Sequence, residues 1–265
     1  MCYDIALHSD IALTKQAFPK IIDKRISQST VLQQHTQSFS FASLPVVIQK
    51  DGELSLVDMQ WFVDPSYLTD PKQRVKQRIS MANAQSERVL RDKRSYWYTL
   101  RTNRCLIPLS GTYEHREIAG WKNKVPYYIW MKDRGIQHIP SLYQLLETVG
   151  TNGEIITQGS FTMLTRTANQ TMKGIHNSGE HRHRMPLFLT PELEDFWVSP
   201  HFSEDDMKAV FEYELPSGLL DFSPVYSIRG KAVRPDGKAT FEPWHYENLP
   251  PLGTDTPLQS QMSLF

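Results

Sequence analysis

Between residues 125 and 168 the chain runs through three stretches with the apolar spacing of strands: VPYYIWMK, IPSLYQLLETV and GSFTMLTRTA. A TNGE turn separates the last two. Aromatic and β-branched side chains at a two-residue period suit a pleated, half-buried surface. Shorter segments of helical character surround this block. Residues 11–24 (IALTKQAFPKIIDK) read as an amphipathic helix interrupted at Pro19, and ANQTMKGIH also reads as helical. MPLFLT reads as a short strand, while TPELEDFW and SEDDMKAVFEYE each open with a hydroxyl cap followed by acids. Strands in the middle with helices inserted around them predict one compact α+β domain with a β-rich, barrel-like core and peripheral helices. A chain of 265 residues is long enough to bury such a core. Neither an internal repeat nor a low-complexity linker divides it. The domain is expected to span residues 2–248, with the Pro-, Gly- and Thr-rich residues 249–265 as a flexible tail.

The chain is neutral overall, but its charge is uneven. Between Lys72 and Arg104 stand ten Lys/Arg and two acids, a local charge of +8. A basic segment on a neutral protein suggests one localised anionic partner. The same stretch contains SYWY (Ser95 to Tyr98), and rings in a positive groove hold single-stranded nucleic acid by base stacking. A solvated helix face is the plainer reading of such a run. No apolar stretch approaches the roughly 20 residues needed to span a bilayer, and the charged N-terminus does not read as a signal peptide. Two distant cysteines, Cys2 and Cys105, make no disulfide framework, so a cytoplasmic protein is expected.

One of those cysteines follows the initiator methionine, in MCYD. Methionine is trimmed when the next side chain is small, which would leave Cys2 with a free α-amine and a thiol. Their reference pKa values, roughly 7.7–8.0 and about 8.5, give both a usable nucleophilic fraction near neutral pH. Further candidates for chemistry are Asn83 in RISMANAQSERV, Glu114 in RCLIPLSGTYEH, and His176 with Arg184 in ANQTMKGIHNSGEHRHRMPLFL. Singly, each has an ordinary reading as a cap, a surface charge or a satisfied core group.

In register they resemble one family. Cys after Met1, Trp61 and Pro65 in WFVDP, Asn83-Ala84 with Glu87, and Arg104 to Glu114 (RCLIPLSGTYE) occur in order. Lys124 to Trp130 (KVPYYIW), LTRTAN, Ile-His, RMPLFL and a late PVYS follow. This pattern is similar to the SOS response-associated peptidase family and runs from residue 2 to about residue 245. The resemblance implies a β-rich domain that binds single-stranded DNA and single-strand/double-strand junctions. It also implies covalent reaction with abasic sites through the N-terminal cysteine. Carried over, Cys2 is the nucleophile, Glu114 and His176 the acid/base pair, Asn83 a positioning group and Arg184 a phosphate or sugar contact. Gln85, Arg101, Arg104 and Thr165 complete the expected DNA-contacting set. No cofactor is implied, and a monomer acting in the cytoplasm on nucleoid DNA is expected.

The chain also departs from the family pattern. Typical members begin MCGR, whereas Tyr3-Asp4 follows Cys2 here; Gln85 replaces an Arg and His115 an aromatic. A longer segment separates His176 from Arg184, bringing His181 and His183 nearer to RMP, but His176 keeps the Ile-His pairing. Glu180 and the three histidines could be read as metal ligands, but their spacing fits no metal motif, so no metal is expected. The terminal QMSLF resembles a sliding-clamp peptide, with Leu264 and Phe265 filling a pocket and Gln261 bonding at its rim. Two alternatives remain open beside the crosslinking protein: an N-terminal-nucleophile cysteine peptidase and a non-catalytic single-strand-binding module.

Overall fold

At Ser110 the backbone crosses from one β-sheet to the other. Its N–H donates to the carbonyl of Ala6, and its hydroxyl accepts from the N–H groups of His8 and Ser9, both at 2.9 Å. The next residue must be glycine, because a Cβ at Gly111 would come within 2.5 Å of the Tyr128 ring. The computed structural model describes residues 2–26, 32–65, 67–230 and 233–254.

In chain order the elements are β1 (Asp4–Leu7), α1 (Ala12–Ala17), β2 (Ile22–Asp23), β3 (Gln33–Gln37), β4 (Ser43–Lys50), β5 (Glu53–Trp61), α2 (Pro71–Ser80), β6 (Asn83–Gln85), α3 (Ser86–Arg91) and α4 (Tyr96–Leu100). Then come β7 (Arg104–Leu109), β8 (Gly111–Arg116), β9 (Val125–Met131), β10 (Gln137–Val149), β11 (Ile155–Thr167), α5 (Gln170–Ile175), β12 (Arg184–Pro186), α6 (Pro191–Trp197), α7 (Glu204–Glu212) and β13 (Leu220–Pro224). One sheet has the order β13-β9-β8-β1-β3. The other runs β12-β11-β10-β7-β4-β5-β2 and closes on itself through a parallel pairing of β11 with β5, Phe161 opposite Trp61. The ring β11-β10-β7-β4-β5 is therefore a five-stranded barrel, which leaves no open edge between its first and last strands.

Alternation along the barrel strands divides the core in two. Val46 and Ile48, with Cys105 and Ile107, pack in a cluster shared with Ile5, Tyr127 and Ile129 of the other sheet. Val47 and Leu106 face the opposite way, into a cluster closed by Trp97, Trp197, Met207 and Val210 from the helices. A period of two thus places neighbouring residues in separate apolar compartments.

The helix starts follow their caps. Asp70 accepts from the N–H of Lys72 ahead of Pro71, and Ser203 and Asp206 form a full capping box on α7. Thr190 occupies the N-cap of α6 without a side-chain cap bond. The stretch MPLFLT departs from its expected strand. Only Arg184–Pro186 joins the ladder with β11; Leu187, Phe188 and Leu189 are buried as irregular chain, with Leu187 N–H bonded to the Leu164 carbonyl. The packed part of the chain also runs beyond residue 248. The fully buried Arg116 guanidinium donates to the carbonyls of Pro250 (2.8 Å) and Pro251 (2.6 Å), and Leu249 and Leu252 lie against the core. Gln261, Leu264 and Phe265 lie outside the described residues. Among those residues no helix is long and apolar enough to cross a membrane.

Candidate active site

Four of the residues singled out in the sequence converge where the first strand begins. Cys2 is fully buried, and its carbonyl accepts a hydrogen bond of 2.9 Å from the side-chain amide of Asn83. Asn83 opens β6, which pairs in parallel with Met163 to Thr165 of β11. Trp61 fixes the approach to β6 by donating its indole N–H to the carbonyl of Ala82 at 3.0 Å. Glu114 comes from β8, whose register sets Tyr113 opposite Asp4 and Glu114 opposite Tyr127. Its Oε2 lies 3.9 Å from Nε2 of His176.

His176 terminates α5, a short helix seated by one buried residue. Asn169 caps the helix by accepting from Met172 N–H and donates its amide to the Leu215 carbonyl at 3.0 Å. The imidazole is gripped from behind, since Nδ1 lies 2.9 Å from the carbonyl and 3.2 Å from the N–H of Arg184. The longer connection to Arg184 closes without displacing the ring, through His183 N–H bonded to the His176 carbonyl at 2.7 Å. His183 and His181 are both exposed, whereas His176 is buried against Glu114. Among the described residues no group of three or more His, Cys, Asp or Glu could hold a metal ion.

Cys2, Asn83, Glu114 and His176 are all buried. Burial first, and the adjacent Glu114 carboxylate second, push the Cys2 thiol well above its ordinary pKa. The thiol therefore stays protonated near neutral pH and needs a base to react. Glu114 Oε1 and Asn83 Oδ1 are both buried without a hydrogen-bond partner among the described residues. Orphaned buried acceptors are costly and call for an explanation. A proton on the reacting groups would answer it.

Arg184 is committed within the protein. Its guanidinium makes a bidentate pair with Glu87 (2.6 and 2.9 Å) and donates to the Thr165 carbonyl at 2.7 Å. Burial alone would raise the Glu87 carboxyl, but the hydrogen bonds from Arg184 hold it below its usual range. Thr165 is buried and bonds the Ala84 carbonyl. Arg101 is paired with Glu204 at 2.7 Å and stacked on Tyr98. Arg104 ties β7 to the end of α6 through the carbonyls of Trp197 and Ser199, both at 2.9 Å. Neither arginine reaches the pocket around Asn83.

Gln85 does reach it. A cavity of about 370 Å³ opens beside Asn83 and Gln85, walled by Tyr67, Tyr96, Trp97, Arg88 and Arg94. Arg88 is held only loosely by Asp92 at 3.4 Å, and Arg94 has no ion-pair partner among the described residues. Tyr67 stands 53% exposed against Tyr96, ring centroids 5.0 Å apart. The sequence places these residues in or beside the basic, aromatic run; which of its cations face the cavity depends on how α3 and α4 fold over β6.

The sequence profile described as "SOS response associated peptidase (SRAP)" matches residues 1–228. Over 160 residues the chain is 29% identical to "Abasic site processing protein YoqW" of Bacillus subtilis (strain 168), covering 60% of this chain and 64% of that protein. It thus spans somewhat under two thirds of that relative's length. Over 210 residues it is 26% identical to "Abasic site processing protein YobE" of the same organism, covering 78% of this chain and 85% of the relative. A solved protein from Bacteroides thetaiotaomicron superposes with a TM-score of 0.71 at 24% identity, covering 85% of this chain and 92% of that one. One from Bordetella bronchiseptica gives 0.65 at 18% identity, covering 85% and 100%. These last two likenesses concern the fold. With a match over most of its length, the chain belongs to the SOS response-associated peptidase (SRAP) family.

Proposed function

We propose that the protein captures abasic sites in single-stranded DNA by a covalent bond to Cys2 once Met1 has been removed. The observation that carries this reading is the convergence of Asn83, Glu114 and His176 on residue 2. The names of the two Bacillus relatives point the same way.

The ring-opened abasic sugar presents an aldehyde. The Cys2 α-amine, uncharged in about half the molecules near its reference pKa, adds to that carbon to give a carbinolamine. Loss of water from it leaves an imine. The Cys2 sulfur then adds to the same carbon, closing a five-membered thiazolidine; one C–N and one C–S bond form and one water leaves. Closure within one residue enjoys an effective molarity on the order of 10⁵ M or more in well-oriented cases. Because burial keeps the thiol protonated, Glu114 serves as the base that takes its proton. His176 stands behind Glu114 to return a proton to the departing water. Asn83 holds the Cys2 carbonyl and so positions the backbone of the nucleophilic residue. The product lacks the readily eliminated proton of the free aldehyde, which shields the strand from cleavage.

The test is incubation of the mature protein with an oligonucleotide carrying one abasic site, followed by heating and denaturing electrophoresis. A heat-stable adduct lost in Cys2→Ala supports the reading. Equal adduct in Cys2→Ala overturns it, as does binding with no adduct by a wild type whose Met1 mass spectrometry shows to be removed.

A further inference from the structure

A second cavity, of about 690 Å³, opens apart from the one beside Asn83 and shares no wall residue with it. Its walls include His115, Trp121, Lys122, Lys124, Tyr226 and Arg229. The volume lies in the range of pockets that bury drug-sized ligands. Its wall residue His115 follows Glu114 on β8, and its Arg229 is bonded to Asp4, two residues along the chain from Cys2.

The departure from MCGR shapes this cavity. Asp4 is buried at 2% exposure, and its carboxylate is bonded by His35 Nε2 at 2.7 Å and by the Arg229 guanidinium. Burial works against the charge, but those hydrogen bonds outweigh it and hold the Asp4 carboxyl below its usual range. Asp4 thus anchors Arg229 while leaving its side chain 47% exposed at the cavity wall. Lys122 has no ion pair or hydrogen bond among the described residues, whereas Lys124 is paired with Glu117 and Ser178. The wall therefore offers an anchored guanidinium, an uncommitted ammonium and the partly exposed rings of Trp121 and Tyr226. Cations that contact a backbone beside rings that stack on bases are the elements of a single-strand site.

We infer that this cavity holds a nucleotide flanking the abasic sugar, its base on Trp121 or Tyr226 and its phosphate between Lys122 and Arg229. The inference rests on the function proposed above and deepens it: the strand would lie across Cys2 with one flank in the Asn83 cavity and the other here. His115 faces this flank as a neutral ring, because burial and the nearby Arg229 lower its pKa.

Three oligonucleotides test it: an abasic site with four nucleotides on both sides, on the 5′ side only, or on the 3′ side only. Wild type should need roughly tenfold more of the oligonucleotide lacking the flank that fills this cavity for half-maximal capture, in line with one lost base stack. Lys122→Ala and Trp121→Ala should show that same deficit on the two-sided strand and none on the strand already lacking the flank. Variants that match wild type on the two-sided strand, or are weakened equally on all three, overturn the inference. Lys122 is exposed, so its substitution leaves the fold intact. Fluorescence anisotropy with an undamaged strand reads the cavity without the covalent step: weaker binding by Lys122→Ala supports the site and unchanged binding overturns it. Failure of Cys2 to form any adduct would instead overturn the proposed reaction.

Discussion

Asn83 reaches across 81 residues of sequence to donate its side-chain amide to the backbone carbonyl of Cys2 at 2.9 Å. The bond fixes the peptide that follows the nucleophile, not the thiol itself. Replacing Asn83 with Ala removes one buried hydrogen bond, worth about 0.5–1.5 kcal/mol in stability. The larger effect should be on geometry, since a misplaced reacting group can cost on the order of 100-fold. We expect single-turnover capture of abasic DNA by Asn83→Ala to slow by more than its small loss of stability implies. Stopped time courses at saturating DNA, set beside thermal melts, would show it; an unchanged rate would remove the positioning role.

Glu114 should matter through its proton, which makes its effect depend on pH. The Cys2 thiol is held in its neutral form by burial and by the carboxylate beside it. Glu114→Gln keeps the shape of the side chain and deletes the base. Capture should slow by roughly 10² to 10⁴-fold, the usual span for a lost general base. The remaining rate should climb with pH through and beyond the ordinary thiol range, because only solvent-ionised sulfur can then react. Rate profiles between pH 6 and 10 for both proteins would decide; parallel profiles would rule Glu114 out as the base.

Two of the five barrel strands, β10 and β11, and β9 of the other sheet could be read in advance from residues 125–167, because their apolar and β-branched content marks them as strands whatever they pair with. The β4–β5 hairpin carried an equally clear sign that the sequence reading passed over. Its Asp51-Gly52 pair sits at positive φ on both residues, the geometry of a two-residue turn. The parallel contact between β11 and β5 that closes the barrel had no local signal, since long-range pairing leaves no mark at either strand. The same limit applied to the site. Cys2, Asn83, Glu114 and His176 could be named from short motifs, but the partners that commit Arg101, Arg104 and Arg184 lie 103, 93 and 97 residues away along the chain. A run of cations shows charge; its sequence does not show which of them are already paired.

Glu87 should act on catalysis through Arg184. It binds that guanidinium in bidentate fashion, and the Arg184 peptide groups grip Nδ1 of His176. Glu87→Gln weakens the anchor while touching none of the reacting groups. We expect a modest loss of capture rate, about three- to tenfold, with DNA affinity unchanged and displaced His176 ring resonances by NMR. Glu87→Asp should recover part of the rate. A loss confined to DNA affinity would show instead that Arg184 is released to bind phosphate.

A large contribution to stability outside the site should come from Glu194, one of the acids that follow the hydroxyl cap in TPELEDFW. It is 1% exposed and takes a bidentate pair from Arg134 at 2.6 and 2.8 Å, with His138 Nδ1 at 2.8 Å. These contacts bind α6 to β10. Removing one partner of a buried pair leaves the others uncompensated and costs about 3–5 kcal/mol, so Glu194→Ala should melt on the order of 10 °C lower. Burial would raise the Glu194 carboxyl, but its bonds to His138 and Arg134 lower it overall. A folded-state pKa below the unfolded value adds stability that is complete above the unfolded value of about 4.3 and fades as pH falls through the folded one. The gap in unfolding free energy between wild type and Glu194→Gln should therefore be full at pH 6 to 7 and narrow below pH 4. Denaturant titrations across that range would measure it, and a gap that widens in acid would show that Glu194 is not held as a carboxylate by these two partners.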